Sequence, residues 1–344
     1  MVAWCGLGLW TALAVYFKAP LSSWLSAALA LTILLWYVTA CRESVRLWKL
    51  PRATWPAKRL TVLALATTAA VAVGYFGFVR PDANQEWSPE QARMPIVTIE
   101  GDLVSVSNVR NVRNFTWRTA TDFTPGFYDR VYDVSKLDSM YYVVVPMPAF
   151  DGVAHGFVSF GFADGQHVAV SVEGRRRRGQ AYKLIPSLFR QYQLIYIVSD
   201  ERDVVGLRGA IWKKPVYFYP ARTTNERKRA IFLDMMRRAH ELEEHPEFYN
   251  LLTNNCMNNI KAHLRRLGGR PLPHDLSVLL TGMSDRVAYD FGYLDTDLPF
   301  AAARQAFRID RWMQHTPLDA DFSQRLRAQV AKQVDEAKAT GPAK

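Results

Sequence analysis

Three apolar runs open the chain, Ala3 to Phe17, Leu21 to Ala40 and Leu60 to Val79, and none contains a charged residue. A helix rises about 1.5 Å per residue, so roughly 20 such residues cross the hydrocarbon core of a bilayer. Each run is therefore expected to be a transmembrane helix. The first is the shortest, but Lys18 can snorkel from its end and Trp4, Trp10 and Tyr16 suit an interface. It lacks the basic start of a cleaved leader, and a second apolar run follows at once, which argues for three membrane helices within residues 1–80. Residues 81–95, polar and rich in Pro and Glu, are expected to be a linker.

From Ile96 the pattern changes to short segments rich in β-branched and aromatic residues. Strands are expected at Ile96 to Ile99, Leu103 to Val109, Phe115 to Arg118, Tyr141 to Val145, Leu194 to Val198 and Val216 to Tyr219. Turn residues separate several of them, including Gly101-Asp102 and Thr124-Pro125-Gly126. A long hairpin, His155 to Phe162 and His167 to Glu173, turns through Ala163-Asp164-Gly165-Gln166. Helical periodicity then takes over. Thr224 is placed to cap a helix from Asn225 to Leu242, a shorter helix begins at Cys256, and Phe322 to Ala337 has the look of a solvated terminal helix. The fold class is α+β, with an antiparallel sheet first and helices after, over residues 96–344.

Charge supplies the orientation. The loop 42–59 carries Arg42, Arg46, Lys49, Arg52, Lys58 and Arg59 against Glu43, which marks it as cytoplasmic. The third apolar run then leads outward, and everything after Arg80 lies outside the cytoplasm. The net charge of +11 is largely accounted for by this loop and by Arg175 to Arg178. Nucleic acid is not implied; a basic surface near a bilayer meets anionic lipid head groups. Arg175 to Arg178 are either a solvated hairpin end or a holder of lipid phosphate. Alternating signs at Asp200, Glu201, Arg202 and Asp203 suggest an ion-pair cluster, with Glu201 and Arg202 as its structural members.

The chain has three cysteines, and two of them, Cys5 and Cys41, fall in or beside the apolar runs. Cys256 is the only thiol of the exported part, and an unpaired thiol outside the cytoplasm is a candidate nucleophile. The competing reading is a buried structural cysteine. At a helix N-terminus beside a histidine its pKa is expected below the free value of about 8.5. Side chains alternate along a strand, so Val158, Phe160 and Phe162 share an apolar face with Val168, Val170 and Val172. The other face carries His155, Phe157, Ser159 and Gly161 beside His167, Ala169, Ser171 and Glu173. Its small residues are expected to receive the helix that starts at Cys256, which would bring His155 to the thiol. Ser171, Glu173 and His167 are the candidates to orient that histidine. Asn254 and Asn255 offer amide donors for an oxyanion, although Asn255 also suits an N-cap. His240, His263, His245, His274 and His315 fall in or near helices and are expected in exposed or capping roles. Zinc-ligand spacing is lacking, as is a glycine-rich phosphate loop, so no metal or cofactor is expected.

The stretches Asn108-Val109-Arg110-Asn111, His155 to Phe162, Ser171-Val172-Glu173-Gly174-Arg175, Asp200 to Asp203, and Tyr249 with Asn255-Cys256 resemble the periplasmic domain of Lnb-type lipoprotein N-acyltransferases. The resemblance runs over about Pro95 to Gly282. It implies a permuted papain-like domain of the NlpC superfamily, with histidine ahead of cysteine, in the periplasm and anchored in a bacterial inner membrane by a multi-pass segment. It also implies Cys256 as nucleophile and His155 as base; Tyr249 is a candidate positioning residue beside them, and Arg110 and Arg175 are candidate substrate contacts. Membrane phospholipid and lipoprotein are the implied substrates, with an acyl chain passing through a thioester. Where the family usually has two Thr after the cysteine, this chain has Met257-Asn258, so no hydroxyl role carries over. The alternatives are a cysteine amidase or peptidase acting on cell-wall peptides, and a non-catalytic membrane-anchored binding domain.

Overall fold

The computed structural model describes residues 2–48, 54–111, 126–147, 152–268 and 281–339. The chain divides into two compact units, one formed by Met1–Ala83 with Tyr182–Gln191 and the other by Asn84–Ala181 with Tyr192–Lys344.

The first unit holds α1 (Val2–Lys18), α2 (Ser23–Trp48) and α3 (Thr54–Gly77), together with a one-turn helix α4 (Leu184–Ser187). Among the described residues, two stretches are long and apolar enough to cross a membrane, Ser23–Arg46 and Lys58–Gly77. This corrects the expectation of three. With 17 residues, α1 spans only about 26 Å at 1.5 Å per residue, short of a hydrocarbon core of about 30 Å. It packs instead along its neighbours, with Thr11 Oγ1 3.3 Å from Thr68 Oγ1 and the Trp10 ring stacked on Phe76 at 6.0 Å. The Tyr37 hydroxyl satisfies itself on the Ala64 carbonyl of α3 at 2.6 Å. The segment 182–191 ties the ends of α1 and α3 together: Arg190 donates to the carbonyls of Tyr75 and Val79, and Gln191 to that of Phe17. Those carbonyls lie at the C-terminal ends of the two helices, where no intrahelical donor remains. The ends of α1 and α3 therefore lie on one side, with the two helices parallel. Of the basic loop expected at 42–59, Lys49 and Arg52 lie outside the described residues.

The second unit is built on an eight-stranded sheet. Its strands are β1 (Ile96–Glu100), β2 (Leu103–Arg110), β3 (Phe127–Asp133), β4 (Leu137–Pro146), β5 (Ala154–Phe162), β6 (His167–Arg175), β7 (Gln193–Ser199) and β8 (Tyr217–Pro220). The order is β1-β2-β7-β6-β5-β4-β8, with β3 also paired to β2. All pairings are antiparallel except the β2–β7 junction at Arg110 and Ser199. A register shift in β2 falls at Asn108, which adopts φ 67 and anchors the irregularity by donating its amide to the Met94 carbonyl. The strand expected at Phe115 to Arg118 lies outside the described residues, and β3 was not anticipated.

Helices follow, with a π-helical segment (Arg202–Ile211) before β8, then α5 (Asn225–Glu244), α6 (Cys256–Arg266), α7 (Ser284–Asp290), α8 (Phe300–Ala306), α9 (Asp310–Met313) and α10 (Phe322–Ala339). The hairpin register is the expected one, with Val158 opposite Val170 and Gly161 opposite His167. The apolar face of β5, β6 and β7 takes α5 and α6. Phe232 of α5 meets Phe160 and Phe162 edge-on, and Tyr196 bonds Asn259 and His263 of α6.

The opposite face takes the π-helical segment and α10. This corrects the expectation that α6 would lie on the small, polar face. The reason is polarity: Ser159 on that face donates to Glu201, which Arg327 pairs, and Glu173 accepts from Arg208 and Ser171, partners that an apolar face of α6 would not supply. A Cβ at Gly161 would collide with Ser139 Oγ and stand 3.2 Å from an Arg327 guanidinium nitrogen, so those side chains would have to shift. The terminal helix α10 is correspondingly not solvated. Phe322, Leu326 and Val330 enter the core beside Val143, Phe157 and Phe218.

The segment expected to be a free linker is largely bound. Trp87 bridges Arg177, the Arg175 guanidinium lies 4.2 Å from the centroid of the Trp87 ring, and Arg176 pairs with Glu90.

Candidate active site

Cys256 is the first residue of α6 and is 3 % exposed. Asn255 precedes it as the N-cap, its Oδ1 accepting from the Asn258 amide at 2.8 Å, while its own amide group donates to the Leu251 carbonyl. Asn254 donates to Glu247 and to the Phe248 carbonyl. Both side-chain amides thus shape the loop and the helix start, with both N–H donors of Asn254 engaged and one of Asn255 on the Leu251 carbonyl. The backbone is better placed for an oxyanion. Burial pushes the thiol pKa up, and the amides of Gly156, Met257 and Cys256 pull it down through hydrogen bonds to the sulfur. Burial wins, so the resting group is a neutral thiol, against the expected lowering.

His155 lies at the start of β5. Its Nε2 is 2.8 Å from Ser171 Oγ, and Ser171 donates its hydroxyl to Glu173 Oε1 at 2.9 Å. Arg208 donates to the same Glu173 oxygen at 2.7 Å, and Gln91 to the other at 3.2 Å. Burial raises the Glu173 carboxyl, but Arg208 and Arg110 outweigh it and hold the group well below the carboxylate range. Glu173 is an ionised acceptor. The single Ser171 proton therefore points to Glu173, Ser171 Oγ accepts from His155, and the imidazole proton sits on Nε2. Nδ1 keeps its lone pair. Burial, then the Arg208 charge, shift the ring far toward the neutral form, to about 3, although a fifth of the side chain stays accessible.

Ser171 and Glu173 thus both serve the histidine, in series, while His167 stands at the other end of β6. Among the described residues no hydrogen bond joins His155 to Cys256. They flank the same peptide: the Gly156 amide bonded to the thiol follows His155 directly, and the imidazole leaves β5 on the face opposite to α6.

The weaker substrate candidates are structural. Arg110 forms a buried two-pronged pair with Asp203 at 2.9 Å, and Arg175 donates to the carbonyls of Gln91 and Ala92. Of the 200–203 cluster, Glu201 is buried on Arg327 as expected, but the second buried member is Asp203. Arg202 instead pairs locally with Asp200. Tyr249 is buried and bonds the Tyr192 carbonyl through its amide.

Arg208 and Gln91 were missed. Arg208 was signalled only as a lone charge among Val204, Val205, Gly206, Leu207 and Gly209, in a segment without strand or α-helical period. His263 was expected to be exposed or capping, but is buried between Asp234 and Tyr196, both at 2.7 Å.

A mixed α/β domain with one buried thiol and a carboxylate-oriented histidine defines the class. Residues 123–282 match the model of the Lnb N-terminal periplasmic domain family. No curated protein and no solved structure matches the chain.

Proposed function

We propose that the protein is a thiol acyltransferase of the bacterial inner membrane with a permuted papain-like domain in the periplasm. Two helices long enough to span, joined by a basic segment, support a multi-pass anchor with that segment in the cytoplasm. The observation that carries the chemistry is the Arg208–Glu173–Ser171–His155 chain. It fixes the tautomer that leaves the Nδ1 lone pair free, one peptide from a thiol ringed by backbone N–H groups.

In the reaction the Cys256 proton reaches Nδ1 through one bridging water, since the imidazole and the thiol lie on opposite sides of the Gly156 peptide, as Sγ attacks the carbonyl carbon of a phospholipid ester. The amides of Gly156 and Met257 receive the oxyanion. Collapse breaks the ester C–O bond, and the imidazolium returns its proton to the departing lysolipid oxygen. The ionised Glu173, acting through Ser171, favours the imidazolium in between. The N-terminal amine of a lipoprotein then attacks the thioester, the C–S bond breaks, and the amine proton returns to sulfur by way of His155.

The test is intact mass spectrometry of the detergent-solubilised protein after incubation with phospholipid. A fatty-acyl mass increment that maps to Cys256 and is absent from Cys256→Ala is expected. Muropeptide cleavage without an adduct would select the amidase reading, and neither result would select a binding domain.

A further inference from the structure

A cavity of about 100 Å³ lies against α6 on the thiol's side of the sheet, walled by Tyr142, Val158, Met235, Met257, Ile260 and Leu294 among others. Its wall reaches the thiol through Gly156. A Cβ on Gly156 would stand 2.8 Å from the Tyr142 hydroxyl and 3.2 Å from Met257 Sδ, while its amide bonds Cys256. Tyr142 and Met257 are themselves 3.1 Å apart, so both line the cavity and adjoin the sulfur.

Arg222, Thr223, Arg227 and Ser284 also line it; Arg222 pairs with Asp295 and Asp297 and Arg227 with the Gly268 carbonyl, and the polar groups nearest the thiol are spent elsewhere. Tyr142 donates to Ser284 at 2.8 Å, and His263 is held by Asp234 and Tyr196. A peptide carbonyl or amide entering here would lose water and gain no partner from these groups, which penalises it. A hydrocarbon tail loses nothing and gains apolar contact. The membrane-length helices hold the chain where molecules with such tails are abundant.

We infer that this cavity is the seat of an unbranched hydrocarbon tail on whatever group Cys256 attacks. The inference rests on the reading of Cys256 as a nucleophile and adds the residues that select the substrate's chain.

The probe is a series of n-alkyl methanethiosulfonates from methyl to octyl, reacted with the full-length protein in detergent. The Cys256 thiolate attacks the sulfenyl sulfur, the new S–S bond carries the alkyl group, and methanesulfinate leaves with the electron pair of the broken S–S bond. Rates are read on the Cys256 peptide by mass spectrometry, with N-acetylcysteine in the same micelles as reference. Each added methylene buried in the cavity is worth roughly a fourfold rise over that reference.

In Ile260→Phe and Leu294→Phe, which each enlarge a side chain of the lining, the rise with chain length should flatten. A rate independent of chain length in the wild type overturns the cavity assignment and leaves the nucleophile standing. So does a rise that both variants keep. If the variants do not fold, the wild-type series against N-acetylcysteine decides alone. A thiol that reacts with no reagent until denatured overturns the nucleophile, and the tail site with it.

Discussion

The two faces of the β5–β6–β7 sheet bury similar strand surface by different means. One face is mainly apolar and receives Phe232, Met235, Met236 and Ile260, with Tyr196 bonding Asn259 and His263 of α6 as its polar contact. The other buries Glu173 on Arg208 and Glu201 on Arg327, while Asp203 and Arg110 form a third buried pair. Hydrophobic contact is non-directional and tolerates repacking, whereas a buried ion pair fixes the groups it holds and is costly when half of it is removed. The histidine stands on the face that fixes geometry and the thiol on the face that mainly packs. Under the proposed reaction, the difference assigns precision to the base and shape to the substrate.

The largest effects should separate the faces. Phe232→Ala, which removes a ring touching Tyr132, Phe160 and Phe162, should cost about 3–5 kcal/mol. Arg327→Ala should cost a similar amount, about 3–5 kcal/mol, by leaving Glu201 buried without its cation. The faces then part company. Replacing both members, Glu201→Leu with Arg327→Met, should recover most of the loss in urea unfolding, whereas no second substitution on α5 restores the ring. A double variant as unstable as Arg327→Ala would show that the charged face is not held by that pair.

The apolar face was legible because period-two alternation reports burial directly: Val158, Phe160, Val168 and Val170 lie where the pattern puts them. The cap at Asn255 was legible for the same local reason. The charged face was not. Arg327 and Glu201 are 126 residues apart, and nothing within a helical window marks Arg327 as inward-facing. The helix was assigned to the wrong face because small residues mark close approach without naming the partner. Arg175 and Arg110 illustrate a further limit, since a basic residue that grips backbone or a buried carboxylate looks in sequence like one that grips a ligand. The span count failed at α1 because composition was satisfied and length was not.

Acid should act first on the polar face. His155 is held neutral in the folded chain, so between about 3 and 6.5 the unfolded chain binds more protons, and stability falls as pH drops through 6.5. His263 and His167 are shifted in the same direction and add to the same limb. Glu173, held low by Arg208, contributes stability above its ordinary value of 4.5 that is lost only below it. Each proton gained on unfolding steepens the loss by about 1.4 kcal/mol per pH unit. Unfolding temperatures taken from pH 7 to pH 5 should therefore decline, and His155→Asn should decline less steeply. Equal slopes for the two proteins would place the imidazole in solvent, outside the relay.

The smallest effect tests the junction of the two faces, where α6 begins. Asn255 caps the helix by accepting from the Asn258 amide, and its amide group also holds the Leu251 carbonyl. Asn255→Ala should cost about 1 kcal/mol of stability, in line with other lost caps. Asn255→Asp keeps the acceptor and should restore most of it, while placing a carboxylate beside the thiol. If the cap only starts the helix, the alkylation rate of Cys256 should follow stability in both variants. A slower rate in Asn255→Asp at restored stability would instead show that the charge one residue from the sulfur opposes the thiolate, which a neutral asparagine avoids.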